Sequence, residues 1–272
     1  MSEGRIRRVV IAGGGTAGWI AACALTHQFP KDVLKVVLVE SEQIGTVGVG
    51  ESTIPTIRTF HDLLGIDERE FMSSVAASFK LSISFENWLR PGHRYFHPFG
   101  LTGLNTWACE FHHFWLDSRR RGVQSELGDF CLETVASRAD RFVLLGKDGS
   151  AGQWSTRWAS GGMSPDRLRV NYAYHFDAGL YAAYMRERAE RQGLVRIEGR
   201  IEQVRQHPET GYIEALVLDD GTVIEGDLFI DCTGGRAVLS EQALKTGYED
   251  WDNWLPSNRA VALQTEADGP AV

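Results

Sequence analysis

The chain has 272 residues, 43% of them hydrophobic, enough to bury one large core or two ordinary ones. Its 28 basic and 36 acidic residues leave a net charge of −8. No long basic run occurs, so neither nucleic acid nor an anionic membrane is expected as a partner. The four cysteines, Cys23, Cys109, Cys131 and Cys232, show no CxxC pairing and no His/Cys cluster at metal-ligand spacing. A disulfide framework and a bound metal are therefore not expected, and a reducing cytoplasm is the expected compartment.

In chain order, the first segment holds a decoy. Arg5, Arg7 and Arg8 precede an apolar run from Val9 to Leu25, which mimics a secretory leader. Gly13, Gly14, Gly15 and Gly18 break that run at its centre, and no other stretch is long and apolar enough to span a bilayer. Residues 6–12 instead read as a buried strand, 17–28 as a helix and 33–40 as a second strand, the unit that builds a parallel sheet. Residues 41–57 are glycine-rich without a clear period and read as an ordered loop. Residues 58–77 read as helical with a break near Gly65. In 78–86, Phe79, Leu81, Ile83 and Phe85 alternate with Ser78, Lys80, Ser82 and Ser84, the period of one half-buried strand. On this pattern alone Lys80 is a solvated lysine on a serine-lined face. Residues 88–165 are irregular and rich in Trp, His, Phe and Gly. Such walls surround flat organic ligands, and equally ordinary cores under long loops. A helix is expected over 174–192, strands over 194–205, and a hairpin turning at Asp220-Gly221 before the apolar strand of 227–235.

The first chemical motif is Gly13-x-Gly15-x-x-Gly18 between a strand and a helix, with Glu40 ending the next strand 22 residues beyond Gly18. This is a dinucleotide fingerprint in its required context. Gly13 permits the tight turn, Gly15 the approach of a pyrophosphate, and Gly18 close packing of helix on strand. Thr16, Ala17 and Gly18 open the helix, whose N–H groups and dipole favour phosphate. Glu40 can accept from a ribose diol. FAD rather than NAD is favoured by "DLFIDCTGG", 227–235, a late strand ending in a turn at Gly234, of the kind that returns beside the cofactor in flavoproteins.

"IAGGGTAGWIAA", "GTVGVGESTIPT", "FKLSISFENW", "YHFDAGLYAAYM", "DLFIDCTGG" and "WLPSNRAVA" occur in this order along the chain. Together they resemble the flavin-dependent halogenases of the tryptophan halogenase family. The resemblance implies an α/β, Rossmann-like FAD-binding fold of glutathione-reductase and flavin-monooxygenase type, with a doubly wound sheet. It implies FAD-binding parts at 1–87 and 166–272, with 88–165 inserted on the substrate side. It implies reduced FAD delivered by a separate flavin reductase, chloride or bromide as co-substrate, and a small electron-rich aromatic substrate such as an indole. A homodimer is left open.

By matching positions, Lys80 corresponds to the lysine that forms a haloamine or holds hypohalous acid by a hydrogen bond. An ammonium can donate to the oxidant and a neutral amine can accept halogen, whereas arginine, always protonated and a weak nucleophile, is a poor substitute. The loop 41–51 corresponds to a strap touching FAD, with Thr46, Val49 and Gly50 as its contacts. Ile201 corresponds to the position whose backbone meets adenine. His97-x-Phe99 corresponds to an aromatic sandwich for the substrate ring. The family's W-x-W-x-I-P signature, its second catalytic carboxylate and its halide-holding turn do not occur before Val272, so the chain is expected to be the N-terminal half of such a protein. An aromatic hydroxylase and a non-catalytic FAD-binding remnant are the competing readings.

Overall fold

A computed structural model describes residues 5–44, 50–142, 170–257, 259 and 261. The chain divides into two compact units, one built on Met1–Gly50 and Asp177–Glu266, the other on Glu51–Phe176.

The first unit is organised on a four-stranded parallel sheet. Its strands are β1 (Arg8–Ala12), β2 (Lys35–Glu40), β8 (Val195–Glu198) and β12 (Leu228–Asp231), in the order β12-β1-β2-β8. Register runs Val9↔Leu228 to Ala12↔Asp231 on one side of β1 and Arg8↔Lys35 to Ala12↔Val39 on the other. The sheet has two different coverings. Val10, Ala12, Val37 and Val39 face Leu216, Leu218 and Ile224 of an antiparallel meander. That meander is β9 (Ile201–Gln206), β10 (Ile213–Leu218) and β11 (Val223–Glu225). By the period-2 alternation of a strand, Val9, Ile11, Val36 and Leu38 face the opposite side, and they are buried too. On that side α1 (Thr16–Gln28) packs on β1 and β2 and on α6 (Ala178–Arg191). Trp19, Ala22 and Cys23 of α1 and Tyr181, Met185 and Ala189 of α6 are all buried. Each large apolar side chain so buried stabilises the fold by about 1.5–3 kcal/mol. Helices cover one face and strands the other, so the unit has three layers and is not doubly wound in the sense expected. The antiparallel meander takes the place of the second helical layer.

The second unit contains β3 (Gly50–Ser52), β4 (Ser78–Lys80) and β7 (Ala173–Asp177) in the order β3-β7-β4, with β4 antiparallel to β7. A separate hairpin pairs β5 (Ser82–Glu86) with β6 (Arg94–Pro98). The single strand expected over 78–86 is therefore two strands in two sheets, and the chain leaves one for the other at Leu81. The helical stretch expected over 58–77 is α2 (Thr56–Leu63) and α3 (Glu68–Ser74), divided at Gly65, whose φ is +62°. Asp67 caps α3, accepting from the N–H groups of Arg69 and Glu70. The irregular segment carries more order than expected: β6, α4 (Phe111–Arg120), a 3₁₀ turn at Leu127–Phe130 and α5 (Leu132–Arg138). Its portion 143–169 lies outside the described residues.

The helix expected from residue 174 begins at Ala178, because 173–177 is strand β7. Asp177 marks the change by accepting from Leu180 N at 2.8 Å. The unit's core is aromatic. Phe71 meets Tyr174, Phe176 and His61 at centroid distances of 5.1, 5.7 and 4.4 Å, largely edge-on. Among the described residues no helix is long and apolar enough to cross a membrane.

Candidate functional site

In the first unit, three strand ends place the nucleotide-binding candidates. β1 ends at Ala12, β12 at Asp231 and β2 at Glu40, and parallel strands put all three ends on one edge of the sheet. Gly13 follows β1 with φ +106° and donates its N–H to Val39 O at 2.8 Å. A Cβ on Gly13 would sit 2.3 Å from Cys232 O, and one on Gly18 would sit 1.9 Å from Gly13 O. Both glycines are thus required by backbone meeting backbone. Gly15 differs, because a Cβ there would meet nothing within 4 Å. It is the N-cap of α1, its φ is −75°, and no side chain caps the helix. The first turn, Thr16, Ala17 and Gly18, therefore presents helix-end N–H groups beside an open position. Gly234 is also open, with φ +64°.

Glu40 is engaged more than expected. Its Oε1 accepts from Arg196 Nε at 2.5 Å, and Oε2 lies against Gly14, where a Cβ would approach within 1.6 Å. Ile201 opens β9, an edge strand of its sheet, with its side chain packed on the core. Gly50 is the exposed first residue of β3, whereas Thr46 and Val49 lie outside the described residues.

Sequence reasoning missed Asp231. Its carboxylate accepts from the N–H and hydroxyl of Thr233 at 3.0 and 2.6 Å, and from the N–H groups of Leu239 and Ser240 at 2.9 and 2.8 Å. Burial pushes this carboxyl up, but the hydrogen bonds from Thr233 and Ser240 outweigh it and hold it below the ordinary carboxylate value. Asp231 thereby ties the Cys232–Gly235 turn to the π-helical segment Val238–Ala243. The Asp-x-Thr spacing at a strand end is an Asx-turn signal that could have found it.

These residues fit an FAD: an uncapped helix N-terminus with open space at Gly15, a second open glycine after β12, and a carboxylate at the end of β2. Among the described residues no cluster of His, Cys, Asp and Glu has metal-holding geometry.

In the second unit, Lys80 is 6% exposed. That corrects the solvated strand face, and the cause is the change of sheet at Leu81. A continuous strand would have left Lys80 among serines in water. Instead it ends β4, and the chain beyond Pro98 folds over it. Lys80 Nζ donates to Thr53 O at 2.8 Å and stands 5.3 Å from the centroid of the Phe99 ring. Burial pulls the Lys80 ammonium below the ordinary lysine value. Phe79, Lys80, Leu81, Ser82, Ser137 and His175 are among the residues lining a hollow of about 210 Å³, together with Asp140, Arg141 and Phe142. Burial, and then the Lys80 charge, hold the His175 imidazole below its ordinary value.

Of the aromatic pair, Phe99 is brought to Lys80, whereas His97 is exposed on β6 opposite Ile83. Thr53 was also missed. Its Oγ1 bonds both the N–H and the carbonyl of Tyr174, which fixes its own carbonyl toward the lysine. Nothing in the local pattern of 50–55 announces a carbonyl acceptor.

A family model described as tryptophan halogenase matches residues 8–272. The tryptophan 6-halogenase SttH of Streptomyces toxytricini is 35% identical over 274 residues, which are 96% of this chain and 50% of that protein. Among solved structures, the flavin-dependent halogenase Xcc4156 of Xanthomonas campestris is 50% identical with a TM-score of 0.81, over 92% of this chain and 47% of that one. BrvH, a flavin-dependent halogenase of Brevundimonas sp. BAL3, is 42% identical with a TM-score of 0.81, over 93% and 47%. The chain spans about half the length of the relatives it matches. The likeness to these structures establishes the Rossmann-like α/β fold class expected from the sequence.

Proposed function

Because the chain belongs to the tryptophan halogenase family, we propose that it carries the flavin cradle and the working amine of an FAD-dependent halogenase acting on an electron-rich, indole-like ring. The observation that carries this reading is Lys80: a buried amine on one carbonyl, roofed by Phe99, at a hollow with aromatic and hydroxyl walls. When bound, reduced FAD supplies with dioxygen and halide the electrophilic halogen, and that chemistry belongs to the cofactor. The protein supplies binding and orientation. The Gly15 opening and the first turn of α1 hold the diphosphate, with Glu40, Gly50 and Gly234 beside the nucleotide. Thr46, Val49 and the Ile201 backbone complete the proposed contacts.

Lys80 delivers the halogen. Its Thr53 bond occupies one N–H, so as an ammonium it keeps two further protons to donate to hypohalous acid. Burial lowers the cost of the neutral amine, which can take halogen directly. Phe99, and in this reading His97, stack on the substrate ring. A separate flavin reductase supplies the reduced cofactor, in the cytoplasm.

Lys80→Ala in the FAD-loaded protein tests the assignment. Halogenated product should fall by at least ~100-fold, with the flavin spectrum and affinity kept. Unchanged halogenation with an intact FAD site would remove Lys80 from the mechanism. Oxygenated product in place of halogenated product, with and without bromide, would turn the reading toward a hydroxylase.

A further inference from the structure

Glu133 is 3% exposed in α5, and its hydrogen-bond partners among the described residues are uncharged. An ionisable group this deep is costly unless its oxygens are hydrogen-bonded or paired. Its Oε1 accepts from Asn171 N at 2.7 Å, and its Oε2 is 3.5 Å from the Cys131 thiol. The carboxylate also lies flat against Gly100, where a Cβ would come within 1.7 Å of Oε2. Asn171 passes the restraint on: its side-chain amide donates to Phe99 O at 2.7 Å. Phe99 N donates in turn to Leu81 O at 3.0 Å, next to Lys80. Asn171 also lies two residues before Ala173, the strand partner of Lys80.

We propose that Glu133 and Asn171 are positioning residues that clamp the Phe99 backbone over Lys80 and so keep the amine dry and aimed. None of the hydrogen bonds in this relay reaches the amine itself, so they act on it only through Phe99 and Leu81. The clamp closes around a lysine whose other neighbours are Thr53 O and the residues sharing its hollow, His175, Asp140 and Arg141. It deepens the halogenase reading, because a dry amine matters only if Lys80 does the chemistry. The test therefore uses a measurement that needs no turnover.

The experiment is competitive acetylation of the FAD-loaded protein by trace acetic anhydride across pH. Lys80 is read against exposed Lys31 by mass spectrometry, in the parent, Asn171→Leu, Glu133→Ala and Glu133→Gln. Asn171→Leu keeps volume but removes the donor. It should speed Lys80 labelling about fivefold to tenfold, the fold-change expected for losing one buried hydrogen bond, and move its titration midpoint upward. Glu133→Ala should do the same, whereas Glu133→Gln, which retains the acceptor oxygen, should stay within about twofold of the parent.

Lys80 labelling in Asn171→Leu indistinguishable from the parent, or Glu133→Gln as perturbed as Glu133→Ala, would overturn the clamp. If Glu133→Ala does not fold, the other two variants decide. Where the parent halogenates, kcat should fall in Asn171→Leu with FAD affinity unchanged. Where the parent halogenates nothing, the activity reading fails while the labelling still decides the clamp.

Discussion

The two candidate sites are built in opposite ways. The flavin cradle is mostly one contiguous turn, Gly13–Gly18, whose requirements are largely local, a positive φ at Gly13 and backbone against backbone at Gly18, although the distant Cys232 O also closes on Gly13. The lysine site is a convergence of distant segments, with Thr53, Lys80, Phe99, Glu133 and Asn171 each coming from a separate stretch of chain. A local site breaks at single positions with large effects. A convergent site spreads its energy over several replaceable contacts.

The largest effect should come from Gly18→Ala, whose Cβ would meet Gly13 O at 1.9 Å. A loss of at least ~3 kcal/mol is expected in chemical denaturation, together with loss of flavin binding. A mild effect would show that the turn yields and is not the rigid element described.

Next is Asp231→Asn. The carboxylate serves several donors across both oxygens, and an amide retains only one acceptor oxygen, so about 1–3 kcal/mol should be lost. The folded carboxyl titrates below its unfolded counterpart near 3.9. Its contribution is therefore complete above that unfolded value and disappears as pH falls through the folded one. The difference in stability between parent and variant should shrink in acid. A difference that grows in acid would reverse the assignment.

Gly15→Ala separates binding from folding within the same turn. Stability should change by no more than ~0.5 kcal/mol, because the Cβ meets nothing and φ is −75°. FAD affinity should fall about tenfold, the weight of one strong phosphate contact. Unchanged affinity would mean that the open space at Gly15 is not where the diphosphate rests. The smallest effect belongs to Arg121→Ala, which removes an exposed i,i+4 pair with Asp117 at 2.8 Å. At most ~0.5 kcal/mol is expected, with no change in flavin affinity or Lys80 labelling. It serves as the control for both sites.

The same contrast explains what was legible in the sequence. β1, α1, β2 and the glycine spacing were readable because each rests on residues adjacent in the chain. The antiparallel covering of the sheet was not, since period-2 patterns in 201–225 show strands but not which face they cover. Lys80 stands out in the sequence, but the local pattern around it does not show its burial. Alternation across 78–86 is continuous in sequence, while the strand changes sheets at Leu81, and no residue type marks that step. The start of α6 could have been read correctly, because Asp177 is an N-cap and "AYHF" before it has aromatic strand character. Helix α4 was hidden by "FHHFW", whose aromatic and histidine residues are weak helix formers. Glu133 and Asn171 were invisible for a different reason: they meet from positions 38 apart in the chain with no motif to announce them.

The atom that holds Lys80 is a main-chain oxygen. An aspartate or glutamate in that place would fix the amine as half of an ion pair and resist its losing a proton. A peptide carbonyl accepts from an ammonium, and more weakly from a free amine, so the same geometry serves both protonation states. It also places the anchor beyond the reach of ordinary point mutation. Every amino acid at position 53 brings the same carbonyl, and variation there can move the lysine only by moving the backbone.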